Sequence, residues 1–188
     1  MGVDDAEVER VIKALQRGQV VAIPTDTVYG LGADPHSRDA MRRLFEIKER
    51  PAGVPVAVLA ASLEQARSLI SWTDEIDSMA TAHWPGALTI VGESLVTELH
   101  LGSSGTVGVR VPDNDFVRRC TEQFGPIATT SANKHGQPTI IDPTELASTF
   151  GDQVDVVVDG GVLDGIASTV VDATAEPANV LRQGVVKL

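Results

Sequence analysis

A chain of 188 residues, 43% hydrophobic and 22% charged, has the size and balance of one globular domain with a real core. The formal net charge of −11 argues against a broad phosphate-backbone footprint, which needs clustered Lys and Arg, but a few of the 15 basic residues can still build a local anion pocket. The single cysteine, Cys120, excludes an internal disulfide, no N-terminal signal pattern is visible, and the longest apolar run, Val54 to Ala61, contains a proline and is too short to span a bilayer; a cytoplasmic protein with no membrane contact is expected.

Asp4 or Asp5 caps a predicted helix with the stripe Val8, Val11, Ile12 and Leu15, ending at Gly18. The run from Val20 to Ile23 reads as a buried strand that Pro24 stops, because proline has no N–H to donate. Thr25, Asp26, Thr27 and Tyr29 then fall at the strand's C-terminal mouth, where open α/β sheets place ligands, and Gly30 and Gly32 let the backbone turn or approach a ligand closely. An ordinary strand-to-helix connection fits the same residues. A second helix from about Ser37 carries Ala40, Met41, Leu44 and Phe45 on one face, and Lys48 continues that stripe, which sends its ammonium toward an edge of the core or a pocket rim. Lys48 and Arg50 lie at the helix end, before Pro51, where the dipole alone also favours cations.

Val54 to Leu59 predicts a buried strand, Ser62 with Gln65 a capping box, and Ile76, Met79, Ala80 and His83 a helix stopped by Trp84-Pro85-Gly86. Leu88 to Val91 predicts the next strand. Gly105 to Pro112 alternates cleanly: Val107, Val109 and Val111 face the core, while Thr106, Gly108 and Arg110 share the other face. Thr, an empty site and Arg on one side make a plausible floor for a carboxylate or phosphate, and equally a half-exposed sheet face. Phe116, Val117, Cys120 and Phe124 form a helix ending at Gly125, with Cys120 on the packing stripe rather than poised as a nucleophile. Ile127 to Thr129 is a short strand, and Thr130 to Thr139 a polar loop whose hydroxyls and amides can grip phosphate oxygens or a sugar. Asp142-Pro143 starts a helix; Val154 to Val158, Ser168 to Asp172 and Val180 to Arg182 are strands. The four histidines have no metal-ligand spacing. The sum is one α/β domain over residues 1–188, with a twisted, partly mixed sheet and flanking helices.

Pro24-Thr25-Asp26-Thr27-Val28-Tyr29-Gly30-Leu31-Gly32, Lys48-Glu49-Arg50-Pro51, Trp84-Pro85-Gly86, Val109-Arg110-Val111-Pro112, Thr130-Ser131-Ala132-Asn133, Ser168-Thr169-Val170-Val171-Asp172 and Leu181-Arg182-Gln183-Gly184 follow one another in this order. The set resembles the YrdC-type family of threonylcarbamoyl-AMP synthases, in the short, stand-alone form, from about Val8 to Val185. The resemblance implies a concave ligand-binding face and a nucleotidyltransferase reaction. L-threonine and bicarbonate form N-carboxy-threonine, which attacks the α-phosphorus of ATP; pyrophosphate leaves, and a tRNA-modifying complex receives the product for threonylcarbamoyladenosine synthesis. Direct tRNA binding is then weak or absent. By the same resemblance Lys48 and Arg50 hold ATP phosphates, Ser131 and Asn133 bind phosphate and position the reacting groups, and Thr106, Thr139 and Arg182 contact the nucleotide. Arg110 takes the threonine carboxylate, and Thr27, Thr129 and Ser168 line the amino-acid pocket. Mg²⁺ is expected to arrive with ATP and to need no protein ligand cluster. The chain departs from the family pattern at Leu59, where many relatives have histidine, and at Val54, where many have a polar residue; Asp26 stands where glutamate is frequent. Two other readings are a double-stranded RNA-binding protein of the same fold, using a patch of Lys48, Arg50, Arg110, Lys134 and Arg182, and a paralogue making another carbamoyl-adenylate.

Overall fold

The computed structural model describes residues 4–49, 51, 54–102, 105–134 and 136–188. Its helices begin where the sequence offers a side-chain acceptor for the free N–H groups of the first turn. Asp4 caps α1 (Asp5–Gln16), Ser37 caps α2 (Arg38–Ile47) and Ser62 caps α3 (Leu63–Arg67). Thr73 caps α4 (Asp74–His83), Asn114 caps α5 (Asp115–Phe124) and Asp142 caps α6 (Pro143–Phe150). Gln65 reaches back 2.7 Å to the N–H of Ala61, one residue ahead of the expected capping-box partner. No helix among the described residues is long and apolar enough to cross a membrane.

The strands are β1 (Val21–Pro24), β2 (Tyr29–Ala33), β3 (Ala57–Leu59), β4 (Leu88–Glu93), β5 (Thr106–Arg110), β6 (Ile127–Ser131), β7 (Val156–Val157), β8 (Thr169–Asp172) and β9 (Asn179–Arg182). They form one nine-stranded sheet in the order β7-β1-β2-β6-β3-β5-β4-β8-β9. Pairing is mixed: β1/β7, β3/β5 and β4/β8 are parallel and the rest antiparallel.

The largest difference from expectation is β2. Tyr29 to Ala33 is no turn but a buried strand, and Pro24 does not end the pairing: it stands opposite Tyr29 in the β1/β2 register. Gly30 and Gly32 do not use the left-handed region. Their role is close packing. A Cβ on Gly30 would lie 2.6 Å from Cγ2 of Thr129, and one on Gly32 3.2 Å from Cγ2 of Ile127, both on the neighbouring β6. Boundaries shift elsewhere: β3 keeps only Ala57–Leu59 of the expected run, while β6 extends through Ser131.

Period-two alternation divides the sheet residues between two cores. On one face Ala22, Tyr29, Leu31, Val58, Ile90, Val107 and Val109 pack with residues of α2, α4 and α6. On the other, Val21, Ile23 and Ile127 pack against α1 and α5 through Val8, Val11, Leu15, Val117 and Cys120. Helices α1 and α5 cover only part of this second face. The stretch of β3, β5, β4 and β8 beyond them carries no helix among the described residues, and there the sheet lines an open cavity.

Cys120 has no exposed surface, and burial pushes its thiol up to about 12. The folded chain therefore keeps a proton that the unfolded chain releases near the ordinary thiol range, so this group favours the native state at low pH and ceases to as pH climbs from about 9 toward 12. Between pH 8 and 10 the protein should lose about 1 kcal/mol more stability than Cys120→Ala in urea titrations. Iodoacetamide at pH 8 should modify Cys120 only after denaturant is added.

Candidate functional site

The uncovered half of the sheet forms a cavity of about 500 Å³, within the range of small-molecule sites. Its floor is the alternating face expected for β5: Thr106, Gly108 and Arg110 line it, while Val107, Val109 and Val111 are buried on the other side. Gly108 leaves the middle of that floor bare. Thr89 and Val91 of β4, Val170 and Asp172 of β8, and Thr129 and Ser131 of β6 extend it. Pro55, Val56, Ala57, Leu59 and Leu181 supply apolar wall.

The strand registers separate two polar groups. Leu59 pairs with Arg110, and Leu88 pairs with Thr169 beside Ser168, so Arg110, Thr89 and Ser168 gather at one end. Thr106 lies four residues along β5, about 13 Å away at strand rise, at the same end as Ser131. Along the strands Arg110, Thr89 and Ser168 thus start from one end and Thr106 and Ser131 from the other, while Thr129 falls between them, the Thr27 turn beside the Gly30–Ser131 pair reaches Arg110, and Arg182 joins Ser168.

Arg110 dominates the first end. Its residue is 6% exposed, yet a different partner meets each guanidinium nitrogen. Nε donates to the Gly86 carbonyl at 3.0 Å, Nη1 to Thr27 Oγ1 at 3.0 Å and Nη2 to Asp26 Oδ1 at 2.6 Å. Burial holds its pKa below the ordinary arginine value, and the Asp26 carboxylate opposes that effect. Thr25 prepares this partner set. Its hydroxyl accepts from the N–H groups of Thr27 and Val28 and donates to the Val28 carbonyl at 2.7 Å, which locks the turn between β1 and β2. Ser168 Oγ lies 2.9 Å from Thr89 Oγ1, and Arg182 folds back from the exposed edge strand β9 to donate to the Ser168 carbonyl through Nε and Nη2. Partial burial first, and the nearby charge of Arg110 second, keep the Arg182 pKa below its usual value, so two cations converge here.

At the other end Lys48 does not reach a rim. It is 2% exposed and lies beneath the Ser131–Asn133 turn, donating to the Ser131 carbonyl at 2.5 Å, to the Asn133 carbonyl at 2.6 Å and to Asn133 Oδ1. Ser131 Oγ donates to the same Asn133 Oδ1 at 2.7 Å. Lys48, Ser131 and Asn133 are thus one network, of which Ser131 forms cavity wall. Arg50 lies outside the described residues. Thr139 is half-buried in the loop after the turn and is not part of the wall. The cations proposed for RNA differ in exposure among the described residues. Lys48 and Arg110 are buried, and Lys134 pairs with Glu49 at 2.5 Å.

Residues 13–184 match the Sua5/YciO/YrdC family model, whose description reads "Telomere recombination". The chain belongs to this family. The threonylcarbamoyl-AMP synthase of Pyrococcus abyssi is 37% identical over 175 residues, 90% of this chain and 52% of that protein. The chain therefore spans about half of that relative. The threonylcarbamoyl-AMP synthase of Vibrio campbellii is 35% identical over 182 residues, 94% of this chain and 98% of its own length. The crystal structure of P. abyssi Sua5 complexed with L-threonine superposes with a TM-score of 0.92 at 34% identity, covering 98% of this chain and 56% of that one.

Within the Sua5/YciO/YrdC trough, Leu59 is 4% exposed and forms wall next to Arg110, so the position where histidine is frequent is apolar here and adds no donor to the amino-acid end. Sequence reasoning missed Thr89 and the Gly86 carbonyl. Thr89 carried a signal, a hydroxyl inside the apolar run Leu88 to Val91; a backbone carbonyl carries none. Among the described residues no three His, Cys, Asp or Glu side chains come together as a metal site.

The Arg110–Asp26 pair has side-chain exposures of 7% and 12%. Arg110→Leu strands a carboxylate in a poorly hydrated place and should cost about 3–5 kcal/mol in urea unfolding. Replacing both members, Asp26→Leu with Arg110→Leu, should recover more than half of that loss.

Proposed function

We propose that this chain is an L-threonylcarbamoyladenylate synthase, making threonylcarbamoyl-AMP and pyrophosphate from L-threonine, bicarbonate and ATP. One observation carries the reading: a single trough is lined both by the clamped Arg110 with the hydroxyls of Thr27, Thr89 and Ser168 and by Ser131 of the Lys48–Ser131–Asn133 turn. That lining suits an amino acid at the arginine and a triphosphate at the turn, with the reacting atoms between. The relatives that bear this enzyme name, and the relative solved with L-threonine, support the same reading.

The chemistry asks for positioning and charge neutralisation rather than a covalent nucleophile. An arginine has five N–H groups, and Arg110 directs three nitrogens at protein acceptors, so one N–H on each Nη remains for the threonine carboxylate. Thr27, Thr129 and Ser168 surround the rest of the amino acid. The threonine amine takes up bicarbonate with loss of water to give the carbamate. A carbamate oxygen then attacks the α-phosphorus, and the bond to the β-phosphate oxygen breaks to release pyrophosphate. Arg182, held on the Ser168 carbonyl beside Arg110, is in reach to offset the negative charge of the reacting carbamate and nucleotide. Ser131, Asn133 and the Lys48 beneath them take the phosphates together with Arg50, and Thr106 and Thr139 contact the nucleotide. Mg²⁺ enters as MgATP, held by phosphate oxygens and water. The product passes to a tRNA-modifying transferase complex in the cytoplasm, which leaves this acidic chain no need to grip tRNA.

Pyrophosphate release from ATP should require both L-threonine and bicarbonate, and omission of either should abolish it. Lys48→Ala and Arg50→Ala should each lower the rate by about 10²–10³-fold. Release that ignores threonine but responds to another amine would replace this reading with that of a paralogue making a different carbamoyl-adenylate.

A further inference from the structure

Asp26 has no part in the chemistry described above, and its carboxylate does not form the cavity wall, although its neighbours Thr25 and Thr27 both do. It approaches Arg110 from behind that wall, at 2.6 Å, across 84 residues of sequence. The contact crosses the sheet as well. Asp26 sits in the turn between β1 and β2, whereas Arg110 ends β5, three places from β2 in the strand order. An arginine on a long flexible arm reaching that far is held only by what meets its head.

Each guanidinium nitrogen has one protein partner. The Gly86 carbonyl and the Thr27 hydroxyl are neutral, and among the ion pairs of the described residues Asp26 is the anion on Arg110. It meets Nη2, the one nitrogen that neither the Gly86 carbonyl nor the Thr27 hydroxyl holds. Without it, the group can pivot about the Nε and Nη1 contacts. The turn that carries Asp26 is itself locked by Thr25, which is 5% exposed and gathers the N–H groups of Thr27 and Val28. A fixed anion on a fixed turn is suited to aiming a cation. Arg182 lies nearby and would otherwise repel Arg110.

We infer that Asp26 is a positioning residue for amino-acid recognition: it fixes the Arg110 guanidinium from behind the wall, so that the N–H groups left over meet the substrate carboxylate. This rests on the reading of Arg110 as the carboxylate-binding group. Asp26 selects for a carboxylate without touching it, and its effect is confined to ligands that carry one.

The test is calorimetric binding of L-threonine, L-threoninamide and ATP to the full chain and to Asp26→Asn, Asp26→Glu and Arg110→Gln. Asp26→Asn should weaken L-threonine by about tenfold or more while changing ATP and L-threoninamide by less than about threefold. Asp26→Glu, which keeps the charge, should bind L-threonine more tightly than Asp26→Asn does. Equal losses for L-threonine and L-threoninamide, unchanged or tighter L-threonine binding in Asp26→Asn, or no recovery in Asp26→Glu would each overturn the proposal alone. Unchanged L-threonine binding in Arg110→Gln would overturn the carboxylate reading of Arg110 and the proposal with it.

Discussion

A guanidinium can be buried at the end of a central strand only if the fold brings acceptors to each of its nitrogens, and this constraint shapes the site. Arg110 gets one acceptor from the β1–β2 turn as a hydroxyl, another from the same turn as a carboxylate, and a third from the backbone after α4. These groups come from two separate regions of the chain. The trough is therefore closed at this end by a tie between distant elements, and the tie is polar. Disturbing any one partner moves the others, which is why the Thr25 turn is as much part of the site as the residues on the wall.

The trough exists because the two sheet faces are covered unequally. One face is filled by α2, α4 and α6 with a continuous apolar core. On the other, α1 and α5 pack over β1 and the near ends of β6 and β3, and the remaining strands are left to water or a ligand. Side chains there follow suit. Where the covered face has Val, Ile and Leu, the open one has Thr106, Gly108, Thr89, Ser168 and Thr129. Small hydroxyl side chains and a glycine keep the floor low enough for a ligand to lie along the strands. At Gly30 and Gly32 the missing side chains likewise make room, here for Thr129 and Ile127 of β6.

Lys48 acts on the trough without standing on its wall. Its ammonium donates to the carbonyls and amide of the Ser131–Asn133 turn, so the turn carries the cation's field toward the trough, whose wall Ser131 forms. The helix stripe that ends in Lys48 delivers it there. Four residues beyond Leu44 it points into the core side, where the polar turn below β6 supplies acceptors for its buried charge.

Much of this was readable from residues in line. Helix starts at Asp4, Ser37, Ser62 and Asp142, the valine alternation of β5, the packing role of Cys120 and the ordered motifs that mark the family all rest on spacing along the chain, which local geometry obeys directly. Three things were not readable. Gly30 and Gly32 read as a place for the backbone to turn or to approach a ligand, and it takes the neighbour β6, nearly a hundred residues on, to make bare glycines the requirement of a strand. Lys48 looked like a rim cation because the turn that accepts its protons comes from another part of the chain. Asp26 had no role because its partner is 84 residues away. Sequence determines which groups are available and which face of each element they take; which buried charge meets which acceptor depends on strand order, and strand order is a property of the assembled sheet.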